Sequence, residues 1–176
     1  MEGIITRGQQ RVAAVLRVAI GIIFLTAGIE KAFLGAEPFS AAGFLKFATA
    51  GTPLLGAPVE GVVYNPTHDF WVGLAANAAL MPVLNWLVVF GQIAIGTALI
   101  LGLFTRFAGA MGTLMMLFFF VAAWSFEFGI VNQHLTYALV TGFVAYIGAG
   151  RYYGVDAVLE KAQAVREKPQ LRYVLG

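Results

Sequence analysis

Between Pro82 and Arg106, and again between Arg106 and Glu127, the chain carries no Asp, Glu, Lys or Arg. Each run is long enough to cross a bilayer as a helix, which takes about 20 mostly apolar residues. A single charged residue between two such runs marks a tight turn, so this part of the chain predicts a helical hairpin in lipid. Two further windows behave similarly. The predicted spans are residues 12–34, 83–104, 107–126 and 133–150.

Composition agrees with lipid as the solvent. Of 176 residues, 60% are hydrophobic and only 11% charged, against about 25% charged in ordinary soluble domains. A chain this short cannot hide so much apolar surface from water, because a domain of about 150 residues buries only about 70% of its unfolded surface. With no cysteine in the sequence, disulfides, CxxC redox pairs, iron–sulfur ligation and thiolate zinc sites are all excluded. Two histidines, one of them (His68) outside the spans, do not supply a bis-histidine haem, and no ligand set for a metal is evident.

The first window could be confused with a signal peptide, since Arg7 and Arg11 precede an apolar stretch. Glu30 and Lys31 stand where small cleavage-site residues belong, and the apolar stretch resumes at Ala32, so an uncleaved first helix is the reading. Four spans put both termini on one face. That face would hold Arg7, Arg11, Arg17, Arg106, Arg151, Lys161, Arg166, Lys168 and Arg172, leaving only Lys31 and Lys46 opposite. By the positive-inside rule the termini are cytoplasmic and the protein is a multi-pass inner-membrane protein. The net charge of +2 then concerns topology and does not imply nucleic acid.

The connection over 35–81 is too long for a plain turn. Pro38 predicts one short helix and Asn65-Pro66 the cap and first turn of another, together an extracytoplasmic helical lid. Trp71, Trp86 and Trp124 are placed at the outer boundary as an aromatic belt. After residue 150 the tail turns polar, with a surface helix expected over 156–168. The fold class is therefore all-α: a four-transmembrane-helix bundle with a lid between helices 1 and 2. Small residues at helical spacing, Gly21 and Gly28, Ala94, Ala98 and Gly102, Ala138 and Gly142, mark close helix contacts, whereas Phe118-Phe119-Phe120 covers an arc wide enough to meet lipid or another subunit.

Ionisable and amide groups within spans are costly and informative. Arg17 either snorkels to the cytoplasmic interface or points inward, toward a carboxylate or the tail near Asp156. Gln92 lies at mid-membrane and must find partners; a structural hydrogen bond is the simplest. At the outer end, Glu30 or Lys31 can face Glu127, Asn132, His134 and Tyr137, with His68 or Asp69 joining from the lid. Such a set could be an ordinary wet interface. The sharper reading is one polar pocket, in which a histidine, a carboxylate and a phenol handle the protons of a quinol.

Three stretches resemble the DoxX/DoxD-like membrane proteins. They are Leu16-Arg17-Val18-Ala19-Ile20-Gly21 continuing to Phe24, Gly28 and Lys31; Gly91-Gln92 with Gly96 and Leu101-Gly102-Leu103-Phe104-Thr105-Arg106; and Gly148-Ala149-Gly150-Arg151-Tyr152-Tyr153-Gly154-Val155-Asp156. The long outer loop is closer to the DoxD-type branch, the membrane subunit of thiosulfate:quinone oxidoreductase. Many relatives have Glu where this chain has Gln92. The resemblance implies a four-helix membrane protein with both termini inside, and its DoxD-type branch points to a membrane oxidoreductase subunit that uses a quinone and a small anionic substrate. On the reading of the polar residues themselves, Glu127, His134 and Tyr137 are the proton-handling candidates and Arg17, Glu30, Lys31, Gln92 and Asn132 the binding candidates. The alternative is a non-catalytic assembly subunit of a larger respiratory or photosynthetic complex, with other subunits as partners. A solute carrier would call for broken spans or an inverted repeat, and neither is evident.

Overall fold

The computed structural model describes residues 6–126, 130–162, 165, 167 and 169–176. Among these residues every regular element is helical: α1 (Arg7–Ile29), prolonged by a π-turn (Glu30–Leu34), α2 (Ala42–Phe47), α3 (His68–Ala76), α4 (Met81–Leu101), α5 (Thr105–Ala123), α6 (Gln133–Ile147) and the single turn α7 (Asp156–Leu159). Three helices are long and apolar enough to cross a membrane, Arg7–Leu34, Met81–Leu101 and Thr105–Ala123. The fourth expected span, α6, has 15 residues, about 22 Å at 1.5 Å per residue against the roughly 30 Å of a hydrocarbon core.

α1 starts earlier than the apolar pattern alone implies, because Thr6 and Gln9 form a capping box: the Thr6 hydroxyl accepts from Gln9 N and the Gln9 side chain from Thr6 N. Such reciprocal bonds satisfy two amides that no turn of helix can reach. α4 opens at Met81 with Pro82 in its first turn, where the missing N–H costs nothing. Gly102, at φ 67°, ends it in the left-handed conformation.

α1 lies along α4, and α5 along α6. Backbones touch where small residues coincide. A Cβ on Gly96 would meet the Leu25 amide and, at 2.7 Å, the Gly21 carbonyl oxygen; one on Gly28 would sit 2.9 Å from Ile93 N. In lipid such backbone contact is the main source of helix association. Across the bundle, Phe24, Ile95, Gly112 and Thr141 form a central layer fully enclosed by the four long helices. The Thr113 and Thr141 hydroxyls bond each other at 3.0 Å, one donating to the other and the acceptor donating back to its own helix.

Four local expectations change. The first short helix begins at Ala42 and not at Pro38, and the second at His68. Asn65 makes the local bond expected of it, its Oδ1 accepting from Thr67 N, but it does more: only 2% exposed, it also accepts from Thr67 Oγ1 and donates to the Val121 and Ala122 carbonyls of α5. This one side chain ties the 35–80 segment to the end of α5. Of the three tryptophans, Trp86 is exposed at 59% but Trp71 is buried at 8%, in a second core with Ala41, Leu45, Met81 and Ala122, so they are not one belt. In the tail, α7 covers Asp156–Leu159 and its first residue, Asp156, is buried instead of on the surface; residues 163, 164, 166 and 168 of the expected helix lie outside the described residues.

Candidate functional site

The bundle has two polar centres, one at each end. At the end shared by the α4–α5 turn and the exit of α6, Arg17 is 2% exposed and points inward. Its Nη1 donates to the carbonyls of Ala149 (2.8 Å) and Tyr152 (3.2 Å), its Nη2 to Tyr153 (3.4 Å). The snorkelling reading is thereby replaced by the inward one. These acceptors exist because α6 ends at Gly148, φ 61°, and the following residues turn across the end of the bundle with carbonyls exposed. The guanidinium sits 2.5 Å from the position a Gly102 Cβ would take, so only glycine lets the arginine reach past α4.

Asp156 is the counterpart, at 0% exposure. Its Oδ1 accepts from Phe104 N (2.8 Å) and its Oδ2 from Thr105 N and Gly176 N (2.9 Å each). Phe104 caps α5 at φ 47° with no side-chain bond of its own. The carboxylate of a distant residue therefore supplies the cap, and its charge complements the positive end of the α5 dipole. Val174 O accepts from Phe107 N and Leu175 is buried, so residues 174–176 complete the closure.

At the other end, heights follow from the helical rise. Measured outward from the Phe24, Ile95, Gly112 and Thr141 layer at 1.5 Å per residue, Gln92 and Tyr137 lie about 5–6 Å up, and Lys31, Phe119 and His134 about 10 Å up. Gln92 is 4% exposed, its Cβ 3.1 Å from the place of a Gly28 Cβ, and its Oε1 is buried without a hydrogen-bond partner. The expected structural bond is not made. His134 is half-buried, meets the Phe119 ring edge-on at 5.8 Å, and its Nδ1 is also buried and unpartnered. Lys31 turns back to donate to Ala27 O (3.2 Å) and lies 5.9 Å from the Phe39 ring centre. Tyr137 packs on the central core.

The remaining candidates go elsewhere. Glu30 is exposed. Asn132 is the α6 cap, accepting from Leu135 N and donating to Ser125 O. His68 shares a 2.8 Å hydrogen bond with Thr49, within the 35–80 segment, and Asp69 is exposed. Glu127 lies outside the described residues. Gln92, His134, Lys31 and Tyr137 are thus brought to one half of the bundle from α4, α6 and the π-turn that prolongs α1, while Arg17 belongs to the opposite end. Two grooves open on the surface, one of about 630 Å³ between α5 and α6 and one of about 320 Å³ between α3 and α5; none of these four residues lines either.

Sequence reasoning missed Asp156 and Asn65 as organising residues. The signal for Asp156 was its place in the closing Gly148–Asp156 stretch; Asn65 had only its position before a proline. No family model, curated protein or solved structure matches the chain.

Proposed function

We propose that the chain is a four-span, DoxX/DoxD-like inner-membrane protein with both termini cytoplasmic and residues 35–81 as an outer lid, serving as the membrane subunit of a quinone-linked oxidoreductase. The observation that carries this reading is that two of the five buried side-chain atoms without a partner among the described residues, Gln92 Oε1 and His134 Nδ1, lie in the half of the bundle opposite Arg17. A buried polar group left without a partner costs about 1–3 kcal/mol. A ligand that completes these groups would recover that cost. A quinol hydroxyl donates to the Gln92 oxygen, and His134 takes up or returns the proton on the opposite side.

Quinone reduction needs two electrons and two protons. The electrons come from a partner subunit that oxidises the donor, two thiosulfates giving one tetrathionate in the DoxD-type case. The protons pass at His134, with Tyr137 and Glu127 as further groups on the path, and Lys31 holds the anionic or carbonyl oxygen. As α6 is short for a span, its ends are completed by the turn at Ala149–Arg151 and by local thinning of the bilayer, which accommodates mismatch at modest cost.

Donor:quinone reductase activity of the complex purified from native membranes tests this. Gln92→Leu and His134→Leu should remove activity without lowering thermal stability, because each replaces an unsatisfied polar group by an apolar one. Unchanged turnover in both variants would dispose of the site. A second reading, a non-catalytic assembly subunit, is favoured by the α3–α5 groove with its exposed Phe70 and Phe118; it predicts that Phe118→Ala releases a partner chain and that Gln92→Leu changes nothing.

A further inference from the structure

We propose that the groove between α5 and α6 is a binding site for an anionic phospholipid, whose phosphate pairs with Arg106 and whose upper acyl chain lies between the two helices. The groove, about 630 Å³, is lined by Arg106, Ala110, Thr113, Gly142, Ala145 and Tyr146. It starts at the end of the bundle where Arg7, Arg11, Arg106 and Arg151 fall and runs from Arg106 to Thr113, about 10 Å along α5 at 1.5 Å per residue. The proposal rests on α5 and α6 meeting lipid and is independent of any quinone chemistry.

Charge complementarity decides the occupant. Arg106, partly buried, is the one charged residue of the lining, and its Nε is buried with no hydrogen-bond partner. The side-chain carboxylates described nearby are engaged: Asp156 holds three backbone amides, and Glu160 pairs with Arg151 at 3.0 Å. Gly176 lies beside Arg106 across Gly148, with no ion pair between them among the described residues. A partly buried guanidinium beside hydrocarbon, with no carboxylate bonded to it, is stabilised by an anion that arrives from outside the chain. Phospholipid phosphates stand at this depth, and basic pockets between membrane helices recognise them.

The rest of the lining suits an acyl chain. Ala110, Gly142 and Ala145 leave the helices unfilled, and the Tyr146 ring, 85% exposed, forms one wall. Thr113 makes no polar demand on the groove, since its hydroxyl is committed to Gly109 O and Thr141. Polarity is concentrated at the Arg106 end and apolar surface at the other, the order in which a lipid presents headgroup and chain.

Native mass spectrometry of the purified full chain in dodecyl maltoside, titrated with dioleoyl phosphatidylglycerol or dioleoyl phosphatidylcholine, tests the assignment. The wild type should hold phosphatidylglycerol at least about tenfold more tightly, the worth of one charge-assisted pair. Arg106→Gln should abolish that preference, Arg106→Lys should keep part of it, and Ala110→Phe, which fills the groove with the arginine intact, should lower phosphatidylglycerol retention. Melting by circular dichroism identifies any variant that does not fold, and the Ala110→Phe result then stands alone. Equal retention of the two lipids by the wild type, or a preference that survives Arg106→Gln, overturns the proposal. So does a groove occupied by a second copy, seen as a dimer that Ala110→Phe dissociates while phosphatidylglycerol binding stays the same.

Discussion

Asp156→Asn is the sharpest probe of the closed end of the bundle. The side chain keeps its shape but loses its charge and one acceptor. In the native arrangement Oδ2 receives two amides and Oδ1 one. The best orientation of an asparagine puts its oxygen on Thr105 N and Gly176 N, which turns its NH₂ against Phe104 N. One bond is lost and two donors face each other in a site at 0% exposure. The variant also removes the negative charge near Arg17, leaving that buried guanidinium with only the Ala149, Tyr152 and Tyr153 carbonyls. Removing one member of a buried charged network costs about 3–5 kcal/mol, and the weakened charge–dipole contact at the start of α5 adds up to about 1 kcal/mol. Unfolding in mixed micelles of dodecyl maltoside and increasing dodecyl sulfate, followed by circular dichroism, should show a loss of that size. A double-mutant cycle with Arg17→Met should give a coupling of about 1–3 kcal/mol. An Asp156→Asn variant within about 0.5 kcal/mol of wild type would refute the view that this carboxylate organises the turn and the tail.

Further outcomes follow from other contacts. Gly96→Ala should destabilise by about 1–3 kcal/mol through overpacking, since its methyl would strike Leu25 N and the Gly21 carbonyl; the same unfolding assay reads it. Asn65→Ala removes both bonds to α5 and both from Thr67, so hydrogen exchange over residues 40–76 should speed by about tenfold or more while the α1–α4 amides keep their protection. Thr141→Val should cost only about 0.6 kcal/mol, the average for a hydrogen bond between membrane helices, because Thr113 retains Gly109 O as an acceptor.

The three long helices were legible because each is an apolar run of sufficient length, and Arg106 marks the turn between the second and the third. Inward-pointing Arg17 was legible as a possibility, since a charge inside a span has few places to go. What settled it, the carbonyls of residues 149–153, depends on how α6 ends and lies 132 or more positions away in the chain. Asp156 shows the same limit. A carboxylate that caps a helix 51 residues earlier leaves no periodicity, and its neighbours read as an ordinary surface turn. Asn65 obeyed the sequence rule for a cap, with Thr67 N on its Oδ1, but nothing local signals the two bonds its Nδ2 makes to α5. Gln92 and His134 were visible as polar residues in apolar surroundings; that both keep an unpartnered buried atom comes only from packing.

Photolabelling tests the quinone reading most directly. A photoreactive quinone analogue, irradiated in native membranes and mapped by peptide mass spectrometry, should attach to outer-half segments of α4 and α6 around Gln92 and His134. Excess natural quinone should displace it, and Gln92→Leu with His134→Leu should abolish the labelling. Labelling that falls outside those segments, or that persists in the double variant, would contradict a quinone site in the outer half of the bundle.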